Sequence, residues 1–423
     1  MNRDPSAPIR VATLGAAFSG NQGAAAMLEA VTRGLPRWVG PCRFSVLSTH
    51  PGDDRRVAPD GVDVVPFTAA SVIPLLGLAL LSRSAALVSR RLARWLGAPA
   101  ALRALAEADV VVDVSGISMA DSRGLPRNVY HFTYVLIPLV LGRPVVKASQ
   151  ALGPFRRRSN RLLARLVLPR LDAVCARGAF TEEQLRGLGL RNVERAADLA
   201  FSVDPSDEDR SRIAGILSGL VDPASMIAVS PSSVVALACR ARGIDYAGSM
   251  AGLIDHAVAV HDRDVVLFAH STRPTERMTR MNDRPVCAEI LHRVRRPDRC
   301  HFLDEVFSPG ELRALIDASR ILVTSRFHAM VSALATATPC LVVGWSHKYA
   351  EVLEPFGLAD WAVDHSATAP LALVDRYDEL EDGHDRIRAR ILDALPRVRD
   401  GSERNFAVIA RVLHEHARGA AGG

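Results

Sequence analysis

Lysine is nearly absent from this chain of 423 residues. Lys147 and Lys348 are its only lysines, although lysine and arginine together number 52. Such a bias is typical of GC-rich coding, which replaces lysine by arginine wherever charge alone is needed. A lysine that remains is a candidate for a defined role, because a compact ammonium and a planar guanidinium are not equivalent at a defined site.

Paired cysteines and a signal peptide are also missing. The six cysteines form no C-x-x-C pair and have no zinc-like spacing. The sequence therefore predicts reduced thiols in a cytoplasmic protein and no cysteine-based metal site. Residues 1–8 are polar and lead straight into a strand, so no signal peptide is expected.

Long hydrophobic runs are absent as well. The most apolar stretch, residues 69–81, has thirteen residues, which are too few to span a bilayer. Arginines and a tryptophan follow it at helical spacing: Arg83, Arg90, Arg91, Arg94 and Trp95. This segment is either a buried helix or a peripheral membrane contact, with an apolar wedge and arginines at the lipid headgroups.

The charge of the chain permits anionic partners but selects none of them. A net charge of +6 and a pI near 9.3 suit a phosphate-bearing ligand or an anionic membrane surface. Aromatic residues make up only 5% of the chain, and no basic stripe is interleaved with them. We therefore expect no nucleic-acid partner.

Short apolar runs alternate with helical segments, which predicts an α/β fold. Strands are expected at residues 9–15, 44–48, 62–65, 109–114 and 144–148, and the pattern restarts with strands at 226–230, 264–269, 320–324 and 340–344. Apolar runs of this length indicate parallel strands buried on both faces. We expect two Rossmann-like doubly wound domains facing across a cleft, at residues 1–205 and 206–400, followed by a C-terminal helix and small-residue tail at 401–423.

Three basic side chains of the second half indicate an anion site. Arg326, His328 and Lys348 occur close together, separated by one expected helix and one expected strand. Arginine and lysine bind anions, and histidine is the side chain best suited to proton transfer near neutral pH. Two alternatives remain open here: chance retention of Lys348 and a histidine that belongs to the core.

Other candidates follow the ends of strands, where open α/β sheets place their ligands. Expected substrate-binding residues are Asn21, Gln22, Gly23, Gly116, Gly153, Arg156, Arg177 and His270. Structural alternatives are tight turns at the glycines, a solvated helix face at Arg156 and an ion pair between Arg177 and Asp198. After His270, Asn282-Asp283 is expected to cap a helix.

Taken in order, these motifs resemble the polysaccharide pyruvyl transferase family over roughly residues 10 to 365. The resemblance rests on the order and spacing of residues 20–28, Val114-Ser115-Gly116, residues 150–155, Ala176-Arg177, residues 197–201, Asn282-Asp283, residues 325–329 and Lys348. It implies a GT-B-like fold and the transfer of a pyruvyl group from phosphoenolpyruvate to a sugar of a polymeric or lipid-linked glycan. No cofactor and no metal are implied.

The resemblance also assigns roles and shows two departures. It places Arg326, His328 and Lys348 in a phosphoenolpyruvate site of the C-terminal domain, with His328 and Arg326 catalytic, and puts the acceptor on the side of the N-terminal domain. Ala24-Ala25 stands where the family often has acidic residues, and Ser115-Gly116 where two glycines are usual. Two other functions therefore remain open: a GT-B glycosyltransferase that uses a nucleotide sugar, and a catalytically altered, glycan-binding member of the family.

Overall fold

A computed structural model of the protein describes residues 7–273, 278–344, 348–364 and 370–421. The chain forms two compact units. The N-terminal unit comprises Met1–Ser19, Met27–Ser202 and Asp400–Gly423, and the C-terminal unit comprises Gly20–Ala26 and Val203–Arg399. The short segment Gly20–Ala26 therefore belongs, by its contacts, to the unit formed by the second half of the chain.

The N-terminal unit is built on a parallel sheet. Its strands are β1 Ile9–Leu14, β2 Cys42–Ser48, β3 Val62–Pro66, β4 Val110–Asp113, β5 Ile117–Ser118, β6 Val145–Leu152, β7 Ala173–Arg177 and β8 Val193–Ala196. Their order is β3-β2-β1-β4-β6-β7-β8, and the two-residue β5 pairs with β6. Every residue of β4 and β6 is buried, as expected of strands in the centre of a sheet covered on both faces.

Helices surround this sheet. They are α1 Gln22–Gly34, α2 Pro36–Val39, α3 Pro51–Val57, α4 Val72–Ala85, α5 Arg90–Leu96, α6 Ala100–Glu107, α7 Leu125–Val140, α8 Arg158–Val167 and α9 Ala179–Gly187. Strand β1 lies between β2 and β4 in the sheet, which is the reversal of strand order typical of doubly wound folds.

The C-terminal unit has a second parallel sheet. Its strands are β9 Ile227–Ser230, β10 Val265–Phe268, β11 Cys300–Leu303, β12 Ile321–Thr324, β13 Cys340–Gly344 and β14 Ala362–Asp364, in the order β11-β10-β9-β12-β13-β14. Its helices are α10 Asp207–Leu217, α11 Ser233–Arg240, α12 Tyr246–His261, α13 Arg284–Leu291, α14 Pro309–Asp317, α15 Phe327–Ala335, α16 Lys348–Leu353 and α17 Pro370–Asp382. The predicted class of two Rossmann-like α/β domains agrees with both sheets.

The last helix, α18, runs from His384 to Ala421 and contributes to both units. Within the N-terminal unit, the Asn405 side-chain oxygen accepts a hydrogen bond from the Ser149 amide at 2.7 Å. The Ser402 hydroxyl donates to the Asp198 carbonyl at 2.8 Å. From residue 400 onward, α18 thus belongs to the N-terminal unit.

Candidate functional site in the C-terminal unit

The end of strand β12 positions the residues that begin α15. The Ser325 amide donates to the Ser230 carbonyl at 3.0 Å, and the Thr324 hydroxyl donates to the same carbonyl at 2.9 Å. The Arg326 amide in turn donates to the Thr324 hydroxyl at 2.9 Å. These bonds hold the turn after β12, so that Arg326 is the N-cap residue of α15 and His328 lies in its first turn.

The guanidinium of Arg326 is oriented by Asp283. The two side chains form an ion pair, and Arg326 Nη2 also donates to the Arg280 carbonyl at 3.2 Å. Asp283 is fully buried and accepts from the amides of Ser233 at 2.8 Å and Ser271 at 2.9 Å. Because Asp283 is fixed from three directions, it holds Arg326 in one orientation.

The expected capping role of Asn282-Asp283 is corrected by this arrangement. Asp283 does occupy the N-cap position of α13, but its side chain makes no capping hydrogen bond. The carboxylate is already engaged by Arg326 and by two backbone amides of other segments. Through these bonds the residue joins several segments of the unit instead of capping its own helix.

The segment Gly20–Ala26, which runs into the first turns of α1, lies against the end of strand β10. Asn21 forms an antiparallel bridge with Ser271, and the Thr272 amide donates to the Gly20 carbonyl at 2.9 Å. The Gln22 amide donates to the His270 carbonyl at 3.4 Å. The predicted binding residues of this segment are therefore brought together with His270.

Gly23, in the first turn of α1, lies against His328. A Cβ atom built on Gly23 would fall on the imidazole ring of His328. The Gly23 amide donates to the Asn21 side-chain oxygen at 3.2 Å, which fixes the backbone at the point of closest approach. Only glycine leaves room for this imidazole at position 23, which explains why the motif has a glycine there.

His270, at the end of β10, is a buried and neutral neighbour of these groups. Burial, with smaller contributions from the nearby His328 and Arg326, lowers the pKa of His270 to about 3. Their influence means that His270, His328 and Arg326 share one region of the unit. A neutral imidazole there can accept or donate a hydrogen bond but carries no charge at physiological pH.

Lys348 is linked to His328 through aromatic rings, and these residues are called the His328 cluster below. Its Nζ lies 4.9 Å from the ring centroid of Phe327 and 5.1 Å from that of Tyr349. The ring of Phe327 also packs edge-on against that of His328, with centroids 5.0 Å apart. The Tyr349 hydroxyl donates to the Ser325 carbonyl at 3.0 Å, which ties α16 to the start of α15. Residues 345–347, which precede this lysine, lie outside the described residues.

Two residues of this region carry no recognisable signal in the sequence. Arg313, buried in α14, is close enough for its charge to contribute to the low pKa of His270. Tyr246 begins α12, and its hydroxyl lies 2.7 Å from the Ser325 hydroxyl. An arginine or a tyrosine on an amphipathic helix looks ordinary in the sequence, so neither was expected here.

Four of the predicted residues lie in the N-terminal unit. The Gly116 carbonyl accepts from the Ala151 amide at 3.2 Å, Gly153 has a positive φ of 84° just after β6, and Arg156 is exposed. Arg177, at the end of β7, forms a buried ion pair with Asp198 at 2.8 Å. The structural alternative proposed for Arg177 is thus present in the fold.

The other lysine of the chain, Lys147, is fully buried in the N-terminal unit. Lys147 of β6 is the cross-strand neighbour of Asp113 of β4, and the two form an ion pair. Lys147 Nζ also donates to the Ser118 hydroxyl at 3.2 Å, and the Tyr134 hydroxyl donates to Asp113 at 3.0 Å. Burial raises the pKa of Asp113, but Lys147 and the hydrogen bonds from Ser115 together outweigh it, and the net pKa is lowered. Both lysines therefore occupy defined places, of quite different kinds.

The chain matches the family model described as Polysaccharide pyruvyl transferase over residues 21–347. Among solved structures it is similar to a putative UDP-N-acetylglucosamine 2-epimerase from Listeria monocytogenes, with 14% identity, a TM-score of 0.60 and 97% of each chain covered.

Two further structures give the same result. UDP-GlcNAc 2-epimerase from Neisseria meningitidis, bound to UDP-GlcNAc, has 10% identity and a TM-score of 0.59, over 96% of this chain and 99% of that chain. Anabaena Alr3699/HepE in complex with UDP-glucose has 12% identity and a TM-score of 0.52, over 98% and 99%. At these identities the likeness concerns the fold alone, and it confirms the predicted GT-B-like class.

Proposed function

Because the chain belongs to the polysaccharide pyruvyl transferase family, we propose that it transfers the pyruvyl group of phosphoenolpyruvate to a sugar. The product is a ketal on a glycan or lipid-linked glycan, and phosphate is released. The observation that carries this proposal is the grouping of His328 and Lys348 around the ring of Phe327, with Arg326 at the start of the same helix.

The proposed donor explains why two different cations are present. Phosphoenolpyruvate carries a phosphate and a carboxylate, and a planar guanidinium suits bidentate binding of either group. Arg326, oriented by Asp283, is the proposed bidentate ligand, and Lys348 supplies a point charge. With the donor's charge balanced in this way, the phosphate is stabilised as it leaves.

His328 is the proposed acid–base catalyst. It protonates C3 of phosphoenolpyruvate, so that the CH2 group becomes CH3 and C2 becomes electrophilic. One acceptor hydroxyl adds to C2, the bond from C2 to the phosphate oxygen breaks, and a second hydroxyl closes the ketal. The two hydroxyls lose two protons: one balances the proton added at C3, and the other leaves with the phosphate. A positioned histidine commonly accelerates such proton transfers by about 10²–10⁴-fold.

The acceptor is proposed to be bound by residues that follow strand ends. Asn21 and Gln22 lie beside His270, and Gly116, Gly153, Arg156 and Arg177 belong to the N-terminal unit. Of these, Arg156 is the most accessible cation. Ala24-Ala25 lack the acidic groups usual in the family, which points to an acceptor whose binding does not depend on carboxylates at this position.

Two other functions predict different chemistry. A nucleotide-sugar glycosyltransferase is suggested by the fold, since similar structures were solved with UDP-GlcNAc and UDP-glucose. A glycan-binding protein without catalysis is suggested by Ala24-Ala25. The test is to incubate the protein with a glycolipid extract and either phosphoenolpyruvate or UDP-sugars, and to measure released phosphate and released nucleotide. Phosphate release only with phosphoenolpyruvate supports the proposal; nucleotide release, or no release with either donor, contradicts it.

We also propose that the protein works in the cytoplasm, peripherally at the inner face of the membrane. Helices α4 and α5 carry large exposed apolar side chains, and the connection between them carries Leu87 and Val88, which are 90% and 89% exposed. The others are Ile73, Leu80, Leu81, Leu92 and Trp95. The apolar segment is thus only partly a buried helix: Val72, Leu75 and Ala79 face the core, while these residues do not.

Charge selects the partner of this surface. Arg83, Arg90, Arg91 and Arg94 are exposed around it, and no acidic residue occurs between Asp63 and Glu107. Apolar side chains ringed by arginines fit a bilayer with anionic headgroups. None of the helices in the described part of the chain is both long and apolar enough to cross a membrane.

Vesicle sedimentation tests the membrane contact. The protein should bind vesicles that contain phosphatidylglycerol, and the double substitution Leu87→Ser/Val88→Ser should abolish binding. Arg90→Gln/Arg91→Gln should weaken it by roughly thirtyfold, since each arginine near an anionic surface contributes about 1 kcal/mol. The matched control is Leu162→Ser/Leu220→Ser, which removes two exposed leucines elsewhere. Equal loss in the control and the test variant would contradict the proposed surface.

A further inference from the structure

Two histidines and an aspartate meet in the C-terminal unit. His256 and His261 lie in the last turns of α12, and Asp378 lies in α17. The Nε2 atoms of both imidazoles are 2.7 Å from the same carboxylate oxygen, Asp378 Oδ1. One atom of each side chain thus falls within a group whose members are all less than 4.8 Å apart.

These atoms are of the kind that bind zinc. Imidazole nitrogens and carboxylate oxygens ligate Zn²⁺ at about 2.0–2.2 Å, and a set of three protein ligands leaves a fourth tetrahedral position for water. The imidazoles are about one-fifth exposed and the carboxylate is 40% exposed, so an ion and a water molecule have access. A metal ion placed among the three side chains would have two imidazole ligands and one carboxylate ligand.

The surroundings hold the three side chains in place. The ring of Tyr377 packs edge-on against both imidazoles, with centroids 5.5 Å from that of His261 and 6.5 Å from that of His256. The Tyr377 hydroxyl donates to Glu381 at 2.7 Å, so the ring has a fixed position. An outer shell that fixes the orientation of the ligands is typical of metal sites.

Nearby positive charge is balanced without Asp378. Arg263 and Arg320 both pair with Glu381, at 2.9 and 3.0 Å. Asp378 instead contacts the two imidazoles, so its carboxylate is available to a metal together with them.

We propose that His256, His261 and Asp378 bind one Zn²⁺ ion, which fastens the end of α12 to α17. None of the three belongs to the His328 cluster. Helix α12 does reach that cluster at its other end, where Tyr246 contacts Ser325. The metal therefore stabilises a helix that supports the cluster and takes no part in the transfer, and this inference does not depend on the proposed function.

Zinc binding is measured on the full-length protein without an affinity tag. After treatment with a chelator, the protein is titrated with zinc chloride in competition with a chromophoric chelator. The wild type should bind one equivalent and unfold at a higher temperature with zinc than without it. His256→Ala, His261→Ala and Asp378→Asn should each weaken binding by more than the roughly tenfold to hundredfold that loss of an outer-shell partner costs.

Three further variants test whether zinc binds at these three side chains or elsewhere on the protein. His416→Ala removes a histidine paired with a single aspartate, Asp172 at 2.6 Å, and should bind zinc as the wild type does. Cys42→Ser removes the one cysteine that is not buried and should also have no effect. His261→Cys replaces one ligand by another and should retain zinc where His261→Ala loses it.

The proposal is overturned if the wild type binds no zinc under these conditions. It is also overturned if His256→Ala, His261→Ala and Asp378→Asn fold, by circular dichroism, and still bind one equivalent with unchanged affinity. Should His261→Ala fail to fold, the zinc content and visible spectrum of the cobalt-loaded His261→Cys variant decide. An absorption band of tetrahedral, thiolate-bound cobalt supports the site, and its absence contradicts it.

Discussion

The backbone of Gly23 lies directly against the imidazole of His328, in a space that a single Cβ atom would fill. The contact joins the first turn of α1 to the first turn of α15. Since Gly23 is held by Asn21, and the residues before it are bonded to the end of β10, the backbone at Gly23 cannot withdraw without breaking hydrogen bonds. The imidazole is thus positioned by a segment far from it in the sequence.

Gly23→Ala should therefore reduce the transfer rate by about a hundredfold, the loss expected when a reacting group is displaced by about 1 Å. Stability should change little, because the added methyl group displaces a side chain and not the sheet. The control is Gly215→Ala in α10, where a Cβ meets no other atom. Turnover and thermal unfolding are measured on both. A Gly23→Ala protein with the wild-type rate would show that His328 need not occupy this position.

Lys348 provides a second test, through the donor constant. Lys348→Met should weaken phosphoenolpyruvate binding by roughly ten- to a hundredfold, since a charge-assisted contact contributes about 1.5–3 kcal/mol. Lys348→Arg should also bind poorly, because the longer planar group does not replace a compact ammonium between two aromatic rings. Calorimetric titration measures both. Wild-type behaviour of Lys348→Arg would show that this lysine is retained by chance.

The buried pair of Asp113 and Lys147 concerns stability. Lys147→Met should destabilise the protein by about 3–5 kcal/mol, because it leaves a buried carboxylate without its cation. Asp113→Asn/Lys147→Met should recover part of this loss, since the neutral amide leaves no buried charge unpaired and its oxygen can still accept from Ser115. Urea unfolding measures the difference, with the exposed pair of Arg43 and Asp63 as control, where Arg43→Met should cost less than about 1 kcal/mol. A double variant no more stable than Lys147→Met would contradict the pairing.

The sheets were largely predictable from the sequence, because their strands are continuous apolar runs. The expected strand at 340–344 matches β13, and those at 109–114 and 320–324 differ from β4 and β12 by a residue at their ends. The expected strands do not include β5, β7, β8, β11 or β14. Strand β5 has only two residues, and β8, β11 and β14 are partly exposed, so these four carry no continuous buried apolar run. Short or half-exposed strands depend on their neighbours in the sheet, and neighbours are not visible in a single sequence.

The candidate site was predictable by residue type and not by arrangement. Arginine, histidine and lysine near one another indicate an anion site, and His328 does begin a helix. The buried pairing of Lys147 with Asp113 requires that β4 and β6 be adjacent, and β5 comes between them in the chain. Likewise, the contact of Gly23 with His328 arises because residues 20–26, near the start of the chain, pack with the unit formed by its second half.

The pH dependence of stability follows from His270. Its pKa is about 3 in the folded protein and about 6.5 in the unfolded chain, so between these values the unfolded chain holds the extra proton. Stability should fall as the pH falls below about 6.5. His131, whose pKa burial also lowers to about 3, acts in the same direction. Glu381 has a pKa of about 2, so it adds to the loss of stability only when the pH falls below about 4.5.

We expect His270→Gln to make the loss of unfolding free energy between pH 6.5 and 5 shallower, by about 1 kcal/mol per pH unit. The comparison is one of slopes, so a constant loss of stability in the variant does not affect it. Denaturant unfolding at several pH values measures the slope, with His414→Gln, an exposed histidine, as control. An unchanged slope in His270→Gln would mean that folding does not lower the pKa of His270.

The central claim is that His328 transfers the proton that activates phosphoenolpyruvate. The most direct test is the rate of phosphate release from phosphoenolpyruvate, in the presence of acceptor, by His328→Ala and the wild type. The rate should fall by about 10²–10⁴-fold in the variant, while phosphoenolpyruvate still binds within a few-fold of the wild-type affinity. A near-normal rate in His328→Ala would contradict the account.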